Sequence, residues 1–177
     1  MKNLTFGEGF KYPFKKPMRL FNILWILVPI LGIFAISGYG IRIAKEIMIG
    51  KTKQLPKMHF GDDLKYGFIM FLKMLVFAIP YFLLSFIPFF GIVALFLGLP
   101  VLYMNFFKKE TIGSLFEFDI LSKVFKNYGQ YWLMIVKTMG LNIIFLILVL
   151  VLVGLPAMAF ANIVFYADFY GKYISEK

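Results

Sequence analysis

The stretch MLVFAIPYFLLSFIPFFGIVALFLGLPVLYMNFF, from Met74 to Phe107, runs 34 residues without a charged side chain. About 20 apolar residues suffice to carry one helix across a hydrocarbon core, so this run is too long for a single crossing and reads as a helical hairpin. Its turn is Ile87-Pro-Phe-Phe-Gly91, where proline has no N–H to continue a helix and glycine permits the reversal. A second uncharged run, Thr138 to Ala167, has 30 residues and breaks at Gly154-Leu-Pro156. The third, Leu20 to Ile41, has 22 residues, the length of one crossing, yet contains a turn of the same kind at Val28-Pro-Ile-Leu-Gly32.

Composition agrees with this reading. The chain is 61% hydrophobic and 16% charged, with a mean hydropathy of +0.83, whereas soluble domains carry about 45–50% apolar and 25% charged residues. The expected fold is therefore an all-α integral membrane protein of about five to six apolar helices. Ala35-Ile-Ser37-Gly38 has the look of a signal-peptide cleavage site, but the basic region before it is 19 residues long and the helical pattern continues to Ile49. The segment is read as part of the folded protein.

Nineteen basic residues oppose nine acidic ones. Seventeen of the nineteen are lysines scattered between apolar blocks, a pattern that fits the cytoplasmic basic bias of membrane proteins and attraction to anionic headgroups. No nucleic-acid motif accompanies it. The expected partner is the lipid bilayer, with Lys15, Lys16, Lys123 and Lys126 as headgroup contacts.

A short box occurs three times: Phe6-Gly-Glu-Gly-Phe-Lys-Tyr12, Phe60-Gly-Asp-Asp-Leu-Lys-Tyr66 and Ile112-Gly-Ser-Leu-Phe-Glu-Phe118. A single membrane domain then divides into three box-plus-hairpin units over 6–59, 60–111 and 112–171. The boxes read as entries to short interfacial helices. Ser114-Leu-Phe-Glu117 has capping-box spacing, Asp62 or Asp63 is placed to cap the second unit's helix, and Leu115, Phe118, Leu121, Val124 and Phe125 recur at helical spacing. A solvated connecting helix is the competing reading of that stripe. Whether the first unit is a hairpin or one crossing turns on charge against length. A hairpin puts all basic residues and both termini on the cytoplasmic side, but an arm from Pro17 to Val28 spans only about 18 Å. The expectation is a shallow first hairpin followed by two deeper ones.

Phe10-Lys-Tyr-Pro-Phe-Lys-Lys-Pro17, Gly38-Tyr-Gly-Ile-Arg42, Leu55-Pro56, Gly61-Asp-Asp-Leu-Lys-Tyr-Gly67, Phe116-Glu-Phe118 and Asn127-Tyr-Gly-Gln-Tyr131 together resemble the prokaryotic membrane proteins catalogued as domain of unknown function four thousand and thirteen. The likeness extends over nearly the whole chain. It implies a small multi-helix membrane protein and brings no activity or catalytic residue with it.

Zero cysteines and a single histidine, His59, remove thiolate nucleophiles, disulfides and multi-histidine metal centres. No cofactor, metal or catalytic site is expected. Ionisable or polar groups inside apolar helices are the functional candidates, namely Arg42, Glu46, Asn142 and Asp168, with Asn162 and Ser37 as further midplane polar groups. Arg42 and Glu46 stand four apart and can pair, and Lys172 is the natural partner of Asp168. Lys73 and Lys137 are placed to snorkel to the headgroups. Small residues at Gly40 and Ala44, Ala94 and Gly98, Ala157 and Ala161, and Ala167 and Gly171 suit close helix packing or a contact with another copy or membrane protein. The leading functional expectation is a non-enzymatic component that organises, senses or assembles at the cytoplasmic leaflet. The alternative is a small permease or channel.

Overall fold

The computed structural model describes residues 3–84, 86–87, 98–151 and 154–175, and all regular structure among them is helical. Helix α1, Phe6–Lys11, starts at Thr5. The Thr5 hydroxyl accepts from the Glu8 N–H at 3.2 Å, while the Glu8 carboxylate accepts from the Thr5 N–H at 2.7 Å. Two otherwise orphaned amides are satisfied reciprocally, so a capping box opens α1.

The first apolar block is folded back on itself. A 3-10 helix, Pro17–Leu27, leads into α2, Leu31–Met48, through a reversal at residues 28–30 in which Ile30 has a φ of 64°. The turn is so tight that a Cβ on Gly32 would lie 1.6 Å from the Trp25 carbonyl oxygen. Both open ends of this hairpin come to one level, where Lys15 Nζ donates to the Thr52 carbonyl at 3.1 Å and Arg19 Nη1 donates to that of Leu55. Eleven residues rise about 22 Å in 3-10 geometry and eighteen rise about 27 Å in α geometry. Neither arm reaches the ~30 Å of a hydrocarbon core.

Helix α3, Phe60–Leu84, crosses α2 antiparallel. The crossing is backbone on backbone: a Cβ on Gly38 would stand 2.0 Å from the Asp63 carbonyl oxygen, and one on Gly67 would stand 1.9 Å from that of Phe34. The small-residue contact of α2 is therefore Gly38 against Gly67, and Gly40 faces open space. The sequence spacing of Gly40 and Ala44 missed this because the partner lies on another helix. The remaining helices are α4 (Leu99–Lys109), α5 (Ile120–Lys126), α6 (Tyr128–Leu148) and α7 (Gly154–Phe169). Helices α6 and α7 pack together, and α7 covers α2 with the Phe160 ring edge-on to Tyr39 at 5.3 Å. Closure between α6 and α7 requires Gly154, whose Cβ would be 2.1 Å from the Phe145 carbonyl oxygen. After α7 the chain widens into a π turn, Tyr170–Ile174, where Gly171 lies under the Met48 carbonyl. The expected turn at Ile87-Pro-Phe-Phe-Gly91 extends beyond the described residues, and Ala94, the expected partner of Gly98, lies outside them.

The three boxes take three forms. The first is α1, the second is the opening turns of α3, and the third is a 3-10 turn, Ile112–Phe116. The third box also breaks before α5, so the expected stripe is not one amphipathic helix. Leu115 and Val124 are buried, while Phe118 and Phe125 are 55% and 60% exposed. Ser114 is no cap either: its hydroxyl donates to the Thr111 carbonyl at 2.5 Å, and Glu117 turns to Asn105 and Lys109.

Among the described residues two helices, α3 and α6, are long and apolar enough to cross a membrane. Both leave much of that surface uncovered, including Leu75, Ile79 and Phe82 on α3 and Ile143, Leu146 and Ile147 on α6. Water-soluble proteins rarely expose contiguous apolar surface on this scale.

The crossing yields a paired prediction. Gly67→Ala drives a methyl into the backbone of α2 and should cost about 1–3 kcal/mol or more, as overpacking does, whereas Gly40→Ala should be close to neutral. Unfolding in a graded detergent series measures both. Equal stability of the two variants would remove the Gly38–Gly67 contact from the fold's foundations.

Candidate polar sites at one end of the bundle

The charged residues meet where α2 ends, α3 begins and α4 ends. Arg42 Nη2 donates to the Asp63 carboxylate at 2.7 Å and to the Lys57 carbonyl at 2.8 Å. The same Asp63 oxygen accepts the His59 N–H at 2.8 Å, so the carboxylate, only 3% exposed, reaches back to cap α3. Arg42 and Glu46 do not pair as their spacing suggested. The close approach at Gly38 and Gly67 brings a buried carboxylate on the neighbouring helix within reach of Arg42, and the Glu46 carboxylate is left without a hydrogen bond or ion pair among the described residues.

Glu110 ends α4 in the left-handed conformation, with φ 58°, and its N–H closes onto the Phe106 carbonyl at 2.7 Å. Glycine usually fills such a position. Here three partners hold a glutamate instead. Lys45 pairs with its carboxylate, the Tyr66 hydroxyl donates to the same oxygen at 2.8 Å, and Lys73 Nζ donates to its main-chain carbonyl at 2.7 Å. The hydrogen bond from Lys45, assisted by that from Tyr66, holds the Glu110 carboxyl below its ordinary 4.5. Lys73 is thus committed to a carbonyl rather than to the headgroups. Between these elements lies a cleft of about 530 Å³ lined by Arg42, Lys45, Glu46, Asp62, Tyr66 and Glu110, among others.

Asp168 is paired with Lys172 at 2.5 Å, the partner four residues on. It also accepts the Leu4 N–H at 3.1 Å, while Lys137 Nζ donates to the Leu4 carbonyl at 2.8 Å and stands 5.6 Å from the Phe165 ring. One residue of the N-terminal segment, Leu4, therefore bridges α6 and α7. Asn3 adds bonds to Gln130 and Tyr173 at 2.8 and 2.9 Å. The space left is about 20 Å³, room for a water and no larger ligand. Like Lys73, Lys137 is engaged internally, by a main-chain carbonyl.

Asn142 and Asn162, on the paired helices α6 and α7, each bury a side-chain oxygen without a partner. The Ser37 hydroxyl donates back to the Ile33 carbonyl. Of the candidate headgroup lysines, Lys16 and Lys126 are exposed, Lys15 bonds Thr52, and Lys123 donates to the Ile174 carbonyl at 3.3 Å. Sequence reasoning passed over Asn105, which is 1% exposed, accepts from the Tyr170 hydroxyl at 2.5 Å and donates to the Ser114 carbonyl and to Glu117. Its signal was available as the one amide in the 34-residue run. Among the described residues no three His, Asp or Glu side chains gather as a metal site. Comparison with protein-family models, with curated proteins and with solved structures finds no match.

Two outcomes test this end of the molecule. A carboxyl with a lowered folded value stabilises fully above its unfolded value, and that contribution fades as pH falls through the folded one. Acidification below about pH 4.5 should therefore weaken the native chain, with Glu110→Gln flattening that acid limb in a thermal-melt pH series. Asp168→Asn breaks the ion pair with Lys172 and weakens the acceptor of the Leu4 N–H, and should cost about 3 kcal/mol, read as a lower melting point and faster proteolysis before Phe6. Unchanged proteolysis would mean that the N-terminal segment is held without Asp168.

Proposed function

We propose that the chain is a multi-pass membrane protein with its charged end at the cytoplasmic leaflet, where it organises, senses or assembles other components without catalysing a reaction. The observation that carries this reading is the segregation of charge. The ionised contacts of Arg42, Lys45, Asp63, Lys109, Glu110 and Asp168 all fall at the ends of helices that meet at one end of the bundle, and the uncharged lengths of α3 and α6 lead away from it with their apolar surfaces exposed. Such an arrangement suits a bilayer edge.

The hairpin of the first block supports a cytoplasmic location for all nineteen basic residues and for both termini, in three units over 6–59, 60–111 and 112–171. Exposed Lys16 and Lys126, with the exposed rings of Phe118 and Phe125, suit anionic headgroups. The resemblance to the domain of unknown function four thousand and thirteen fits the same reading. A second copy or another membrane protein is the proposed partner, through small-residue surfaces such as Gly40. A small permease is the second reading, favoured by the unpartnered oxygens of Asn142 and Asn162 on facing helices, and solute flux into proteoliposomes would distinguish it.

Single cysteines replacing the exposed residues Lys11, Gln54 and Lys126 should all react with an impermeant reagent from the cytoplasmic face of sealed vesicles. Labelling of position 11 from the opposite face would make the first block an ordinary crossing and overturn the topology. In the same vesicles, Lys16→Gln with Lys126→Gln should weaken retention of phosphatidylglycerol by about 1 kcal/mol per lysine.

A further inference from the structure

The cleft between α2, α3 and the end of α4 holds charges of both signs in unequal states of commitment. Arg42 and Lys45 are fixed by Asp63 and Glu110, yet neither cation is exhausted. All the side-chain hydrogen bonds of Arg42 leave from Nη2, so its Nη1 has no partner among the described residues. Lys45 spends one of its donors on Glu110. On the same walls the carboxylates of Glu46 and Asp62 make no hydrogen bond or ion pair among the described residues.

Two cations thus face four carboxylates, Glu46, Asp62, Asp63 and Glu110, across about 530 Å³. A ligand that is only an anion meets net repulsion there, and one that is only a cation leaves the free guanidinium edge unused. A ligand with a phosphate at one end and a primary ammonium at the other satisfies both. Guanidinium and ammonium donors bind phosphate oxygens, and free carboxylates accept from an ammonium N–H. Beyond the residues that line the cleft, α3 continues with exposed Phe68, Ile69 and Leu72, and Ile49 of the cleft wall is itself exposed and apolar.

We propose that this cleft is a binding site for a phosphoethanolamine group, with the phosphate on Arg42 and Lys45 and the ammonium on Glu46 and Asp62. The group is carried by an aminophospholipid or is free in solution. The lipid form rests on the membrane placement proposed above, because that placement puts the cleft at headgroup level. The free form does not.

Native mass spectrometry of the full chain in detergent, with phosphatidylethanolamine, phosphatidylcholine and phosphatidylglycerol offered together, tests the site. The ethanolamine lipid should be retained about tenfold over the other two, the worth of a charge-assisted hydrogen bond. Choline has no N–H to donate and glycerol carries no ammonium. Glu46→Gln with Asp62→Asn, which removes no side-chain hydrogen bond or ion pair among the described residues, should abolish that preference and leave phosphatidylglycerol retention by the surface lysines in place. Equal retention of ethanolamine and choline lipids by the native chain, or an unaltered preference in the double variant, overturns the site. Displacement of the lipid by free phosphoethanolamine identifies the headgroup as a sufficient ligand, and failure to displace identifies the lipid as the source. Displacement by ethanolamine alone overturns the phosphate assignment. Opposite-face labelling of the single-cysteine variants would remove the membrane placement and leave free phosphoethanolamine binding in detergent as a separate result.

Discussion

Charge has only one place to go in this molecule. Three uncharged blocks of 22, 34 and 30 residues leave ionisable groups at their ends alone. An unpaired charge inside apolar surroundings costs several kcal/mol, so the chain must bring those ends together or leave them in water. It does the former at the junction of α2, α3 and α4. Main-chain carbonyls serve there beside the carboxylates: those of Leu55, Lys57, Glu110 and Leu4 accept from Arg19, Arg42, Lys73 and Lys137. With nineteen basic residues and nine acidic ones, carbonyl oxygens supply acceptors that the acidic side chains cannot.

Glycine makes the junction possible. Only where α2 and α3 touch backbone to backbone, at Gly38 and Gly67, does Asp63 come close enough to take Arg42 while it caps its own helix. The Arg42–Asp63 bond therefore follows from packing deeper in the bundle, and Glu46 is released to line a cleft. The Glu110 corner follows the same logic. A residue with a side chain sits in a left-handed position because three neighbours repay the backbone cost with directed bonds.

Helical class, the apolar blocks, the glycine of the α6–α7 turn and the Asp168–Lys172 pair were legible in the sequence, since each depends on neighbours within a few residues or on run length. Pairings between helices were not. Arg42 shows a partner four residues away in Glu46, and nothing local announces Asp63 across the Gly38–Gly67 crossing. Thr5 and Glu8 form the capping box that Ser114 and Glu117 only resemble, because Asn105 and Lys109 draw Glu117 away. Lys73 and Lys137 looked like lipid-facing stems because the carbonyls of Glu110 and Leu4, which hold them, are 37 and 133 residues distant.

The unequal length of the described helices has a mechanical consequence. In a bilayer, α3 and α6 match or exceed the hydrocarbon thickness, at about 37 and 32 Å, while the first hairpin stops short of it. Lipids beside the short wall must compress or tilt, at a fraction of a kcal/mol per Å of deficit, and those beside the tall wall need not. The protein would then carry its own gradient of membrane elasticity. A dimple would form on one flank, and neighbours with similarly short walls would be drawn to it because sharing one deformation costs less than maintaining two.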